Sequence, residues 1–146
     1  KNSREITTSH NITMYTDRIF EGTDFSDADM LVLPGGMPGT KYLGEYAPLQ
    51  ELLRGFYEKG GKVAAICAAP SIFGSLGFLK NRKATAYPSF MGSLEGAEAV
   101  EDKVVVDGNV TTSRGLGTAI PFALSLIEQL LGKEKAEEIA ESVVYS

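Results

Sequence analysis

The sequence is poor in the residues that build metal centres and covalent frameworks: its 146 residues hold one cysteine, Cys67, and one histidine, His10. An internal disulfide framework and a Cys-rich zinc site are excluded, and the lone thiol suits a reducing compartment. No metal and no cofactor is expected. No apolar run approaches the roughly 18 residues that a membrane span needs. The opening stretch Lys1-Asn2-Ser3-Arg4-Glu5-Ile6 lacks the apolar core of a signal peptide. The expectation is a soluble, unexported, cytoplasmic protein with no membrane partner. Basic blocks are missing too, and a net charge of -5 gives a phosphate backbone no general attraction. Nucleic acid is not an expected partner. With 43% apolar and 23% charged residues, residues 1–146 fit one globular domain.

Apolar segments bounded by turn residues alternate with helix-period segments, the pattern of an α/β sheet whose parallel strands are joined by crossover helices. Asn11 to Tyr15 has period-2 character and is predicted to form a half-exposed strand. Met30 to Leu33 is a continuous apolar run stopped by Pro34-Gly35-Gly36, as a buried parallel strand should be. Leu49, Leu52, Leu53 and Phe56 follow Pro48 at helical spacing, and Gly60-Gly61 closes that helix. Val63 to Ile66 reads as the next buried strand, Pro70 to Leu76 as a helix and Ala84 to Tyr87 as a strand ended by Pro88. Val104 to Val106 and Val110 to Thr112 read as a hairpin around Asp107-Gly108-Asn109. Ile120 to Leu131 is the clearest helix, with Phe122, Leu126, Ile127 and Leu130 on one side and Gly132 as its stop; Glu134 to Ser142 reads as a polar-faced helix.

Ala65-Ile66-Cys67-Ala68-Ala69 places a nucleophile between a strand and a helix start with small residues on both sides. This is the shape of a nucleophile elbow, where a tight turn tolerates only small flanking residues. There the sulfur faces the amino end of the following helix, which favours thiolate over thiol, and the Ala68 amide can stabilise an oxyanion. A buried structural cysteine fits the same five residues. Leu33-Pro34-Gly35-Gly36-Met37-Pro38-Gly39 is a glycine-rich loop whose amides can face an anion, or an ordinary strand-to-helix turn. Thr111 to Thr118 contains Gly115-Leu116-Gly117 before a long helix, but lacks the third glycine of a dinucleotide fingerprint.

Taken in order, Leu33-Pro34-Gly35-Gly36, Ala64-Ala65-Ile66-Cys67-Ala68-Ala69-Pro70 and Thr112-Ser113-Arg114-Gly115-x-Gly117-Thr118 resemble the ThiJ/PfpI superfamily, in its DJ-one-like branch. The resemblance covers nearly the whole chain. It implies a flavodoxin-like three-layer α/β/α sandwich with a mainly parallel central sheet, a homodimer, and an oxidisable elbow cysteine. By that match Cys67 is the nucleophile and the amides of Gly36 and Ala68 form the oxyanion site. Gly35, His10, Tyr87 and Arg114 are candidate substrate-binding residues. An exposed loop histidine and a structural ion pair are the competing readings of His10 and Arg114.

Two departures from the family pattern carry information. The family begins with a strand and helix whose turn supplies a glutamate to the cysteine, and this sequence starts after that unit of about 30 residues. No glutamate here inherits that role. The absent strand would leave unpaired backbone edges, so the segment is expected to exist as a separate peptide, as further residues or as a partner's strand. The other departure is Tyr87, where the pattern has His before Pro; a phenol, with an ordinary pKa of about 10, is a poor proton shuttle at neutral pH. Histidine supply also separates branches. PfpI-type peptidases carry His directly after the nucleophile, where Ala68 stands, and class I glutamine amidotransferases need a His downstream of the cysteine, where none occurs.

Two functions are therefore expected to compete. One is cofactor-independent conversion of a reactive 2-oxoaldehyde, glyoxalase-type or deglycase-like, through a Cys67 hemithioacetal. The other is a non-enzymatic redox sensor or chaperone-like protein acting through oxidation of Cys67.

Overall fold

The computed structural model describes residues 3–146. The chain opens on an antiparallel hairpin of β1 (Glu5–Thr7) and β2 (Thr13–Tyr15), in which Ile6 faces Met14. Thr8 organises its turn: its amide donates to the Ile12 carbonyl at 2.9 Å, and its hydroxyl accepts from the His10 and Ile12 amides. Asn11 takes φ 58° in that turn, so the predicted strand from Asn11 begins only at Thr13. Both strands are exposed throughout, more than the half-exposed strand expected from sequence.

A second sheet forms the body, in the order β3 (Met30–Leu33), β4 (Lys62–Ile66), β8 (Val110–Ser113), β7 (Val104–Asp107); β3, β4 and β8 run parallel. Between β3 and β4 lie α1 (Gly39–Gly44) and α2 (Ala47–Glu58), the latter with Pro48 in its first turn, where a missing N–H costs nothing. After β4 come α3 (Pro70–Ser75), β5 (Lys83–Ala84) and β6 (Glu98–Ala99), the last two forming a separate parallel pair. The hairpin of β7 (Val104–Asp107) and β8 (Val110–Ser113) follows, one residue longer on each strand than the sequence predicts. Then come α4 (Ala119–Leu131) and α5 (Lys133–Ser142).

Strand alternation sorts these elements into three layers. Leu33, Val63, Ala65 and Val110 point to one face and join Leu49 and Leu53 of α2 with Ile72 and Phe73 of α3 in the core. On the opposite face α4 lies over β8, where the Gln129 amide donates to Thr111 Oγ1 at 2.9 Å. This is the flavodoxin-like α/β/α sandwich that the resemblance implies. Within it, Leu130 is exposed rather than turned inward with Phe122.

Two strands differ from expectation. Ala84 to Tyr87 stays in strand form only through Ala84, because the Thr85 amide is taken by Thr112 Oγ1 at 3.0 Å and the Tyr87 amide by the Cys67 carbonyl at 2.8 Å. β3 is parallel as predicted but not fully buried. It lies at the end of the strand order, among the described residues nothing pairs with its edge opposite β4, and Val32 is 46% exposed.

Candidate functional site

The loops that follow β3, β4 and β8 emerge at the same end of the parallel sheet, the end at which open α/β sheets bind ligands. Cys67 stands at the middle one. It is half-buried and takes φ 67°, a left-handed conformation that costs a non-glycine residue about 1 to 3 kcal/mol and persists only where the surroundings impose it. The surroundings are visible: the Cys67 amide donates to the Ser113 carbonyl at 3.0 Å, its carbonyl accepts from the Tyr87 amide at 2.8 Å, and the Ala69 amide donates to the Ile66 carbonyl at 3.2 Å. Two distant segments and one local bond thus clamp the turn.

Glycine at position 35 is a steric requirement. A Cβ there would lie 2.4 Å from Cys67 Cβ and 2.8 Å from the Ile66 carbonyl oxygen, closer than real side chains approach. The next residue, Gly36, has φ 93°, which a side chain would strain. Among the described residues neither the Gly36 amide nor the Ala68 amide donates to a protein acceptor. The carbonyls of the same two residues are engaged: that of Gly36 accepts from the Thr40 amide and hydroxyl, both at 2.9 Å, and that of Ala68 from the Ser71 hydroxyl at 2.7 Å. The peptide plane carrying the Ala68 amide is itself fixed by the Tyr87 bond to the Cys67 carbonyl. Two unspent donors on loops that meet at a thiol are the parts from which an oxyanion site can be built.

Thr40 and Ser71 escaped the reading of the sequence. A hydroxyl residue four after Gly36 and three after Ala68 is the spacing of local side-chain-to-backbone bonds, and that spacing was the available signal. Thr118 is a third such residue: its hydroxyl meets Ser113 Oγ at 2.7 Å and accepts from the Gly115 amide at 3.0 Å, fixing the loop after β8.

The remaining candidates divide. Tyr87 joins the site through its backbone, and its half-exposed ring packs over Gly115, where a Cβ would stand 3.4 Å away. Arg114 has the structural role, its guanidinium meeting the Glu101 carbonyl at 3.2 Å and carboxylate at 3.8 Å. His10 lies in the exposed hairpin turn, its ring bonded to the adjacent Ser9 at 3.2 Å; among the described residues no hydrogen bond carries it to Cys67. The described residues hold no cluster of ligating side chains suited to a metal ion.

The sequence pattern of the DJ-1/PfpI family matches residues 1–129. This chain belongs to that family. DJ-1 homolog B of Arabidopsis thaliana is 44% identical over 137 residues, spanning 92% of this chain and 31% of its own length. The glutathione-independent glyoxalase DJ-1 of Schizosaccharomyces pombe is 31% identical over 147 residues, covering 96% of this chain and 77% of that one. Among solved structures, oxidized Toxoplasma gondii DJ-1 superposes with a TM-score of 0.94 at 33% identity, covering all of this chain and 80% of the other. DJ-1beta of Drosophila melanogaster gives 0.93 at 38%, covering 99% and 78%. The chain spans about a third of the plant relatives and under two thirds of the fruit-fly proteins. The DJ-1/PfpI membership read from the three loop motifs is thereby shown, and those motifs are the three loops that converge on Cys67. No described helix is long and apolar enough to cross a membrane.

Proposed function

We propose that the protein carries out a cysteine-dependent, cofactor-independent conversion of 2-oxoaldehydes to 2-hydroxy acids, of the kind that turns methylglyoxal into lactate, or a deglycase-like variant of it, in carbonyl and oxidative stress defence. The observation that carries this reading is the forced turn at Cys67, met by the Gly35 loop, with the Gly36 and Ala68 amides unspent. Relatives in Schizosaccharomyces pombe and Caenorhabditis elegans named glutathione-independent glyoxalases support it.

In the first step Cys67 Sγ, as thiolate, forms a bond to the aldehyde carbon, and the carbonyl electron pair moves to oxygen, where the two amides hold it. A proton then leaves that carbon while the neighbouring ketone carbon gains one, so the first is oxidised to a thioester and the second reduced to an alcohol. Water cleaves the C–S bond and returns the thiol. The sum is R–CO–CHO plus water giving R–CHOH–COOH, with no external oxidant. By the family pattern a glutamate moves the carbon-bound proton; Tyr87 offers only a phenol. Site of action and assembly complete the reading: a cytoplasmic homodimer, to be checked by fractionation and light scattering.

The decisive test is lactate formation from methylglyoxal by the protein in full and by its Cys67→Ser variant. Turnover that falls to background supports the mechanism; turnover unchanged by the substitution overturns it.

A second reading, a redox sensor acting through Cys67, draws on the half-exposed lone thiol and on the oxidized state named for the Toxoplasma gondii relative. It expects a gain of about 32 Da, two oxygens, at Cys67 under mild peroxide with little carbonyl turnover. A thiol inert to peroxide counts against it.

A further inference from the structure

The segment Thr112-Ser113-Arg114-Gly115-Leu116-Gly117-Thr118 supplies no group to the proposed reaction, yet it bonds Cys67 directly, because the Ser113 carbonyl accepts the Cys67 amide at 3.0 Å. Ser113 is the last residue of β8. Its pairings with Ile66 on one side and Val104 on the other are the terminal ones of their ladders. Beyond it the main chain is loop, so the place of that carbonyl depends on what holds the strand end.

A chain of hydroxyls holds it. Ser113 is wholly buried, and its hydroxyl donates to the Lys103 carbonyl at 2.6 Å. That bond takes the hydroxyl's single proton, so the 2.7 Å bond between Ser113 Oγ and Thr118 Oγ1 is donated by Thr118. Thr118 Oγ1 in turn accepts the Gly115 amide at 3.0 Å. Its proton has a competing acceptor in the Gly115 carbonyl, but at 3.0 Å that oxygen is farther than Ser113 Oγ. The ends fix the direction, since an amide N–H only donates and a carbonyl only accepts: Gly115 to Thr118, Thr118 to Ser113, Ser113 to Lys103. Bonds aligned in one direction polarise and strengthen one another.

The position of Thr118 makes this use of its hydroxyl informative. It stands at the N-cap of α4, where a threonine side chain ordinarily accepts a bond from the helix's own amides, and here it makes no such bond. The hydroxyl is committed to the β8 loop instead. The chain also begins beside the second hold on the elbow, for the Tyr87 ring packs over Gly115 while the Tyr87 amide donates to the Cys67 carbonyl. The two peptide planes that flank the Cys67 Cα are thus gripped by residues that Gly115 joins.

We infer that Thr118 is a positioning residue for Cys67: its hydroxyl holds the end of β8 so that the Ser113 carbonyl takes the Cys67 amide and keeps the thiol in its left-handed turn. The consequence for turnover rests on Cys67 being the nucleophile of the proposed reaction; the consequence for the turn does not.

The test measures hydrogen exchange at the Cys67 amide by NMR, and kcat and KM for methylglyoxal, in the protein in full and in its variants. Thr118→Val removes the hydroxyl and keeps the shape, Thr118→Ser keeps the hydroxyl, and Ser113→Ala cuts the chain one bond further on. Thr111→Val is the control, since it removes another buried hydroxyl of β8 whose bond leads to Gln129 of α4. Loss of one buried hydrogen bond is expected to quicken Cys67 amide exchange about two- to tenfold in Thr118→Val and Ser113→Ala. There kcat should fall with KM kept, while Thr118→Ser and Thr111→Val match the parent in exchange and in kcat. Parent-like exchange in Thr118→Val and Ser113→Ala, or equal quickening in Thr111→Val, overturns the positioning role and leaves the catalytic reading standing. Quickened exchange confined to the chain, with no methylglyoxal turnover even in the parent, keeps the positioning role and overturns the catalytic reading. Quickened exchange with kcat at the parent value overturns the consequence for turnover.

Discussion

The N-terminal hairpin and the Cys67 elbow are both short turns between extended segments, yet they are held in opposite ways. The hairpin is closed by its own residues: Thr8 bonds the His10 and Ile12 amides, the Tyr15 hydroxyl donates to Glu5 at 2.8 Å, and Ile6, Ile12, Met14 and Tyr15 stay in solvent. The elbow is closed by residues far away in sequence, Ser113 and Tyr87, over a core in which Ala65, Ala69 and Phe73 are wholly buried. A local turn can be relaxed by fraying, because a two-stranded hairpin is marginal by itself. A strained turn needs neighbours that over-determine it. The proposed chemistry is placed where the structure can hold a residue against its preference.

The sharpest way to break this comparison is to hollow the ground under the elbow. Phe73→Ala removes a fully buried ring and is expected to cost about 3 to 5 kcal/mol in urea unfolding. Cys67 alkylation should change in rate as the turn relaxes; a loss below about 1 kcal/mol would mean that the core does not support the turn. Next in size is Gly35→Ala, whose Cβ meets Cys67 Cβ at 2.4 Å. Overpacking of this kind costs about 1 to 3 kcal/mol, and the pairing of the two loops should open, seen as altered Cys67 reactivity. Native reactivity and stability would show that the loops are not in forced contact.

A bond outside both regions gives a smaller, pH-dependent effect. Tyr46, at the start of α2, donates to Glu21 at 2.7 Å, and that bond, with burial and the nearby carboxylate charge, raises its phenol above the ordinary value. A raised phenol favours the neutral form in the folded state, so its contribution is full below pH 10 and is lost as pH rises through the raised value. Tyr46→Phe should therefore lower the urea midpoint at pH 8 and converge with the parent in strong alkali; equal midpoints at pH 8 would contradict the bond's role. Smallest is Ile6→Ala in the hairpin, expected within about 0.5 kcal/mol of the parent. A larger loss would show that this face is covered by something in solution and would remove the contrast.

The elements that the sequence made legible are those whose pattern is local. The apolar run ended by Pro34, the helical spacing from Leu49 to Phe56, and the Asp107-Gly108-Asn109 hairpin all appear where predicted. Around the site, the three glycine- and alanine-rich loops and Cys67 were readable as motifs. What was not readable depends on bonds across the fold. The strand at Ala84 stops because Cys67 and Thr112 claim the following amides, a contest invisible in Ala86-Tyr87-Pro88 itself. Val32 lies in solvent because β3 ends the strand order, which four apolar letters cannot reveal. Leu130 fits the helical stripe by spacing, but α4 lies over β8 and ends before its last turn is covered.

The bond between the Tyr87 amide and the Cys67 carbonyl separates scaffold from chemistry at one position. The main chain of residue 87 sets the elbow, whichever side chain it bears, while the ring stands half in solvent over Gly115. A change of ring at this place is thus a change of side chain that leaves this main-chain bond in position. A fold wired this way can vary the chemistry of this side chain by single substitutions while the amide of residue 87 keeps its bond to the elbow.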